Sequence, residues 1–290
     1  MPHRIVVTGA SGFLGRYVVD LALNSGCEVI TIGRVATDTD IAFNDPSLES
    51  KLTLFSPNVI LHLAASYGDE AKSIGLEANL LLALRLLNWS ISIGESKRVK
   101  FITMGSFWQF GDQQFPGAID MYSATKESLI AFLDYYRRIE HIECYQLILS
   151  STFGPSDGRG KLLDLLINAA KCKNVVNVGD ETKQFYLTDV RDVAAAVLQL
   201  ATQPQVLPEL RYKVRDNKLH SFKTLSDIFS LYGYDISFNF SKKLETANDI
   251  LTPNDEHIPT LPEWSPTYSV EDYIFSELSR ENLIEPKGKG

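Results

Sequence analysis

The sequence predicts an α/β protein: a doubly wound parallel sheet with a smaller C-terminal lobe of mixed α/β structure. Three observations carry this reading. Short β-branched runs alternate with helix-length apolar patterns as far as about Thr202, the first run ends in a glycine-rich turn, and beyond Thr202 the alternation loosens among prolines. Strands separated by helix-length segments join through right-handed βαβ crossovers, which produce a parallel sheet of the Rossmann type.

The elements follow in order. "RIVVTG" is the first strand, "RYVVDLALNSG" the helix after its glycines, and "EVITIG" and "NVILHLAA" are the next strands. "LEANLLLALRLLNWSI" is a core helix and "VKFITMG" the strand behind it. A helix opens at Tyr122 and runs to about Glu140, the strand "CYQLILSS" follows, and "KLLDLLINAAK" and "VRDVAAAVLQLA" are amphipathic helices. Pro204, Pro208, Pro253, Pro259, Pro262 and Pro266 then punctuate short elements, and "EPKGKG" reads as a frayed tail. The expected division is a nucleotide-binding lobe over 1–153 plus about 184–214, and a substrate lobe over about 154–183 plus 215–290. In such a fold the ligand lies between the lobes, at the carboxyl ends of the strands.

Composition narrows the function. A chain of 290 residues with 44% hydrophobic content can bury a large core. A net charge of -8 argues against sequence-independent nucleic-acid binding, which needs a basic surface to displace counterions. The most apolar run, "NLLLALRLLNWSI", is interrupted by Arg85 and too short to cross a bilayer, so no membrane association is expected. "MPHRIVVTGASG" leads straight into a strand without an apolar signal core. Cys27, Cys144 and Cys172 are odd in number and widely spaced, which suggests neither a disulfide framework nor a metal cluster. A reducing cytoplasm and no metal are the expectations.

Gly9, Gly12 and Gly15 sit three residues apart where the first strand turns into a helix. The spacing departs from the GxGxxG fingerprint, yet the physics is shared: glycines allow close backbone approach, and a helix N-terminus faces a pyrophosphate. An acidic residue about twenty positions on would accept the adenosine ribose hydroxyls of NAD. That place holds Gly33 and Arg34. An arginine there can pair with a 2′-phosphate, which favours NADP(H) over NAD(H); the bland alternative is a solvated surface arginine. Asn44 or Asp45 could meet the adenine.

"YSATKESLIAF" sets the phenol of Tyr122 one helical turn from the ammonium of Lys126. Alone the pair is weak, since 12 tyrosines supply roughly 0.6 such pairs by chance. Its place, opening the helix after "KFITMGS" and downstream of the nucleotide loop, raises it. Here the chain resembles the extended short-chain dehydrogenase/reductases that act on nucleotide-linked sugars. The matching residues are Thr8, Gly9, Ala10, Ser11, Gly12, Phe13, Leu14 and Gly15; His62, Leu63, Ala64 and Ala65; Asn79; Ser106 with Gly111; Tyr122 with Lys126; and Phe153, Gly154 and Pro155. "PEWSPTYSVEDYI" is similar to the family's closing segment.

The resemblance implies roles. Tyr122 is the general acid or base, and Lys126 lowers its pKa and binds the nicotinamide ribose. Ser106 holds the substrate oxygen, unless it merely caps a loop. The implied cofactor contacts also take in Ser11, Phe13, Leu14, Leu63, Ala64, Ala65, Asn79 and Ser150. The implied substrate contacts are Ser66, Phe107, Trp108 and Ser151, with Arg159 and Lys161 as candidate diphosphate partners that could equally be solvated. His62 reads as a packed strand-end residue, and the family's helices suggest a homodimer.

Sugar nucleotide 4,6-dehydratases carry Asp-Glu directly after the catalytic hydroxyl residue; this chain has Phe107-Trp108. "GSFWQFGD" and "STFGPSDGRGKLLDLL" resemble enzymes of the CDP-abequose and CDP-paratose synthase type, which reduce a 4-keto-6-deoxy sugar nucleotide. Together with Arg34 this implies an NADPH-dependent ketoreductase with a nucleotide-sugar substrate. An NAD-dependent 4-epimerase, a non-catalytic NADP-binding protein and a reductase of a non-sugar carbonyl stay open. "KQFYLTDVRDV" departs from the family's Arg-Asp-Phe segment, which leaves the nucleotide unassigned.

Overall fold

The computed structural model describes residues 2–34, 40–66, 75–93, 99–138, 142–241 and 250–279. The chain begins β1 (Arg4–Thr8), α1 (Phe13–Asn24), β2 (Glu28–Gly33), β3 (Ile41–Ala42), α2 (Leu48–Phe55) and β4 (Val59–His62). A π-helical turn (Glu77–Leu81) continues into α3 (Leu82–Ser92). Then come β5 (Val99–Ser106), a 3-10 turn (Phe107–Gln109), α4 (Met121–Arg138), β6 (Ile142–Leu149), β7 (Ser151–Phe153) and α5 (Leu162–Cys172). The remaining elements are β8 (Val175–Val178), β9 (Gln184–Asp189), α6 (Val190–Thr202), β10 (Arg211–Val214), β11 (Leu219–Ser221), α7 (Phe222–Leu231), β12 (Ser237–Phe240) and α8 (Val270–Ser279). The expected helix end at Glu140 and the expected tail "EPKGKG" lie outside the described residues.

Seven parallel strands form the main sheet in the order β10-β6-β5-β4-β1-β2-β3. This is the Rossmann-type α/β fold. Its strands are apolar on both faces because both are covered. Ile5, Val7, Val59, Leu61, Ile102 and Leu147 pack with Val18 and Ala22 of α1 and Val193 and Val197 of α6. The alternate residues Val6, Ile60, Phe101 and Cys144 pack on the other face with Leu52, Leu86 and Leu133. The period of two separates the sets, so a one-residue register slip would exchange them.

Two departures from the sequence reading matter. The run "CYQLILSS" is not one strand: β6 ends at Leu149, and β7 starts at Ser151 in a second sheet of order β11-β9-β7. Between them Ser150 is held through its hydroxyl, 2.9 Å from the Thr188 hydroxyl. The second departure is α2, which the strand pattern does not announce; it buries Leu48 and Leu52 under the sheet edge.

The second sheet, the β12-β8 pair and α5, α7 and α8 enclose a separate core of Phe153, Leu166, Ile167, Leu187, Leu225, Phe229 and Ile274. A strap over 250–269 ties the two parts together. The amide of Gln184 donates to the Leu251 carbonyl at 2.7 Å, Arg215 pairs with Asp255 where both side chains are 1% exposed, and the Trp264 indole donates to the Asp192 carbonyl at 3.1 Å. Among the described residues no helix is long and apolar enough to cross a membrane.

β1 lies between β2 and β4, so the chain leaves it in one direction along the sheet and returns on the other side. The crevice at that reversal, at the carboxyl ends of β1 and β4, is where an open α/β sheet binds ligands.

Candidate active site at the carboxyl ends of the strands

A cleft of about 910 Å³ opens there, a volume suited to a ligand larger than a single metabolite ring. Its floor is the glycine loop. Gly9 has φ +72°, and a Cβ on it would stand 2.6 Å from the Ala64 amide nitrogen. A Cβ on Gly15 would stand 2.1 Å from the Gly9 carbonyl oxygen. Only a backbone without side chains packs this closely. The α1 N-terminus at Gly12 has no side-chain cap, and Gly12, Phe13 and Leu14 line the cleft. Uncapped amides at a helix start, in a cradle that a Cβ would fill, fit a pyrophosphate.

Tyr122 and Lys126 lie on the first turns of α4 and line the same cleft as Ser106, the last residue of β5. Asp120 starts the helix by accepting from the Ser123 amide at 2.7 Å and hydroxyl at 2.6 Å, as an N-cap residue does. Lys126 is fully buried, and its Nζ lies 5.8 Å from the Tyr122 ring centroid without a hydrogen-bond partner among the described residues. Burial pushes its amine down to about 8. An orphaned buried amine beside the glycine cradle fits a cofactor that supplies hydroxyl acceptors. Both tests favour a bound dinucleotide.

Ser106 does cap a loop: its Oγ accepts from the Trp108 amide at 3.3 Å, and its own amide donates to Gln109 Oε1 at 2.8 Å. A hydroxyl that accepts still has its proton to donate, so the cap leaves a donor for a substrate oxygen. Trp108 meets Tyr122 edge-on at 6.3 Å, and Phe107 meets Trp108 at 6.2 Å. His62 is fully buried; its Nδ1 lies 3.0 Å from the Thr8 hydroxyl and its ring stacks on Phe101. Burial and then the Lys126 charge lower it to about 3, which keeps it neutral.

The cleft collects Ser11, Arg34, Leu63, Ala64, Ala65, Ser66, Ser150, Ser151, Arg159 and Lys161 as well. It does not collect Asp45 or Asn79. The Asp45 carboxylate turns to Lys51 (2.7 Å) and to the Ser47 amide and hydroxyl, contacts that hold it well below the usual carboxylate range. Phe43 lines the cleft instead. Asn79 is buried and reaches the site indirectly: it accepts from the Ser66 amide at 3.0 Å and donates to the Thr125 hydroxyl at 3.1 Å. Arg159 lines the cleft already committed, pairing with Asp157, donating to the Thr152 carbonyl at 2.9 Å and lying 4.1 Å from the Phe13 ring centroid.

The opposite wall was not marked in the sequence. Asp157, Asp164, Gln184, Phe185, Tyr186, Ile250 and Pro253 come together from three segments with no shared spacing. Two sequence signals touch it: "STFGPSDGRGKLLDLL", which holds Asp157 and Asp164, and the departure at "KQFYL", most of which is β9.

Comparison with known proteins agrees with this architecture. Residues 5–214 match the model of the NAD dependent epimerase/dehydratase family. A CDP-abequose synthase of Yersinia pseudotuberculosis is 26% identical over 212 residues, covering 69% of this chain and 73% of its own. The Salmonella typhimurium enzyme of the same name is 25% identical, covering 95% of this chain and 97% of its own. A UDP-glucuronic acid 4-epimerase from Bacillus cereus, solved with UDP-glucuronic acid and NAD, superposes with a TM-score of 0.76 at 19% identity, covering 97% of this chain and all of its own. The chain belongs to the NAD dependent epimerase/dehydratase family and is an NAD(P)-dependent enzyme of the extended short-chain dehydrogenase/reductase type.

Proposed function

Proceeding from that membership, we propose that the protein reduces the keto group of a nucleotide-linked 4-keto-6-deoxy sugar with NADPH. The observation that carries the reading is Ser106, Tyr122 and Lys126 in one wall of a cleft where Arg34, at the carboxyl end of β2, replaces the acidic residue that suits NAD. The CDP-abequose synthases at 25% and 26% identity support it. Phe107 and Trp108 support it too, since they bring no second acid and base beside Ser106.

A bound nicotinamide supplies the hydride. The chain's part is to place the carbonyl and move one proton. Ser106 and Tyr122 donate to the keto oxygen, and the Tyr122 phenol gives its proton to the alkoxide as the carbon gains hydride. Lys126 as ammonium, together with the N-terminal end of α4, stabilises the phenolate left behind. The reading assigns the part built on the seven-stranded sheet to the cofactor and the part built on the second sheet to the substrate; β7 and β9, which the sequence division of 1–153 plus about 184–214 put on the cofactor side, belong to the second sheet. It includes a homodimer over the helical segment at 76–93 and α4, where Leu81, Phe132 and Tyr135 are 54%, 39% and 55% exposed, and a reducing cytoplasm where Cys27 and Cys144 stay thiols.

The test is NADPH oxidation, followed by absorbance, with CDP-, dTDP-, GDP- and UDP-linked 4-keto-6-deoxy sugars and with NADH in parallel. Oxidation dependent on one sugar supports the reading and identifies the nucleotide. No oxidation, with tightly bound NAD released on denaturation, replaces it with a 4-epimerase.

A further inference from the structure

Behind the catalytic wall lies a polar network, buried at Gln109 and Gln146 and open to solvent at Glu127, that none of these roles uses. Gln109, 2% exposed, ends the 3-10 turn. Its Oε1 accepts from the Ser106 amide at 2.8 Å, and its Nε2 donates to Glu127 Oε2 at 2.7 Å and to Gln146 Oε1 at 3.1 Å. Gln146, fully buried on β6, donates through Nε2 to the Lys126 carbonyl at 3.1 Å. Arg211 donates to the other oxygen of Glu127 at 2.6 Å. One run of hydrogen bonds therefore joins the backbone of Ser106 to the backbone of Lys126. Gly105 makes the room: a Cβ there would stand 2.6 Å from Gln109 Oε1 and 2.8 Å from Gln146 Cδ.

The polarity of the network admits one kind of side chain at its centre. Gln109 faces an N–H on one side and a carboxylate and a carbonyl oxygen on the other, so it must accept on the first and donate twice on the second. An amide does this; a carboxylate of the same shape does not. Gln109 and Gln146 are buried while the Glu127 side chain reaches solvent, so the buried bonds at the centre carry the stiffness, and breaking them costs several bonds together.

We propose that Gln109 is a positioning residue for the reduction, holding the Ser106 hydroxyl at the end of β5 at a set distance from Tyr122 and Lys126 on α4. This rests on the reductase reading of those three residues. Errors of about 1 Å between reacting groups cost roughly 100-fold in rate, so the rigidity has a catalytic consequence.

The test compares the wild type, Gln109→Glu, and the charge-exchanged pair Gln109→Glu with Glu127→Gln. The single change sets a carboxylate against the Glu127 carboxylate and the Gln146 oxygen; the pair restores a donor at 127 and the wild-type net charge, and leaves the second contact broken. In the single variant kcat falls about 10- to 100-fold while KM and NADPH affinity stay within about threefold. The pair recovers about threefold or more of that loss and stays below the wild type, because the contact with Gln146 is not restored. Hydrogen exchange over residues 122–130, which needs no substrate, speeds up in the single variant and returns in the pair. Wild-type kcat in the single variant overturns the proposal, as does a folded pair without recovery. If the wild type turns over no keto sugar, the reductase reading falls separately, and unchanged exchange in Gln109→Glu still overturns the positioning role.

Discussion

The two walls of the cleft are built differently. The cofactor wall is backbone against backbone: Gly9 against Ala64, Gly15 against Gly9, and a ladder that sets Thr8 opposite His62. The wall proposed for the substrate is side chain against side chain, with Arg159 on Asp157, and it is backed by contacts of the strap, Arg215 on Asp255 and the Thr252 hydroxyl donating to Gln184 at 3.0 Å. A backbone ladder keeps its geometry through most substitutions, whereas a side-chain clasp changes with each residue in it. In the proposed reading the first wall carries the chemistry shared with the family and the second the choice of substrate.

Four experiments bear on that contrast, from the largest effect to the smallest. Tyr122→Phe removes the proton donor and should lower turnover by about 10²- to 10⁴-fold. The backbone-built wall should still bind NADPH as tightly as the wild type in a fluorescence titration, and a parallel loss of binding would dissolve the distinction.

Lys126→Met should abolish turnover and stabilise the protein, the mark of a group kept for chemistry. Burial lowers the amine from 10.5 to about 8. Holding its charge in the fold therefore costs about 3 kcal/mol at pH 7, and the cost fades as pH rises from 8 to 10.5, where the amine is neutral in both states. Thermal melts should show the gain of the variant at pH 7 and its disappearance towards pH 10.5. By the same sign, wild-type turnover should fall as pH rises through about 8 and the ammonium beside Tyr122 loses its proton; a flat profile would remove Lys126 from this role.

Asp255→Asn tests the strap. It leaves the buried Arg215 with Glu256 as its remaining carboxylate, 2.7 Å away, and should cost about 2 kcal/mol in urea denaturation. The expected kinetic effect is a raised KM for substrate with NADPH affinity intact, which separates the walls. Arg34→Ala should weaken NADPH about tenfold and leave NADH nearly unchanged in paired titrations; equal losses would take the 2′-phosphate away from Arg34.

Legibility followed the same division. Strand-and-glycine spacing marked the glycine loop, and "YSATK" marked the Tyr122–Lys126 pair that lines the same cleft, because both rest on short-range geometry. Asp45 shows where local reasoning stops: it is well placed in sequence to meet a cofactor, yet Ser47 just before α2 and Lys51 on it take its carboxylate first. The break at Ser150 was invisible because an apolar run reads alike whether its last residues stay in one sheet or cross to another.

By itself the sequence determined the parallel sheet, the nucleotide loop and the Tyr122–Lys126 pair, since each depends on periodicity or on residues within a turn of one another. Only the tertiary structure decided that Lys126 is a buried amine without a partner among the described residues, that Gln109 spans from Ser106 towards Lys126, and that Ile250 and Pro253 face the cleft. Those properties arise from desolvation and from contacts between segments up to about two hundred residues apart, which no local pattern records.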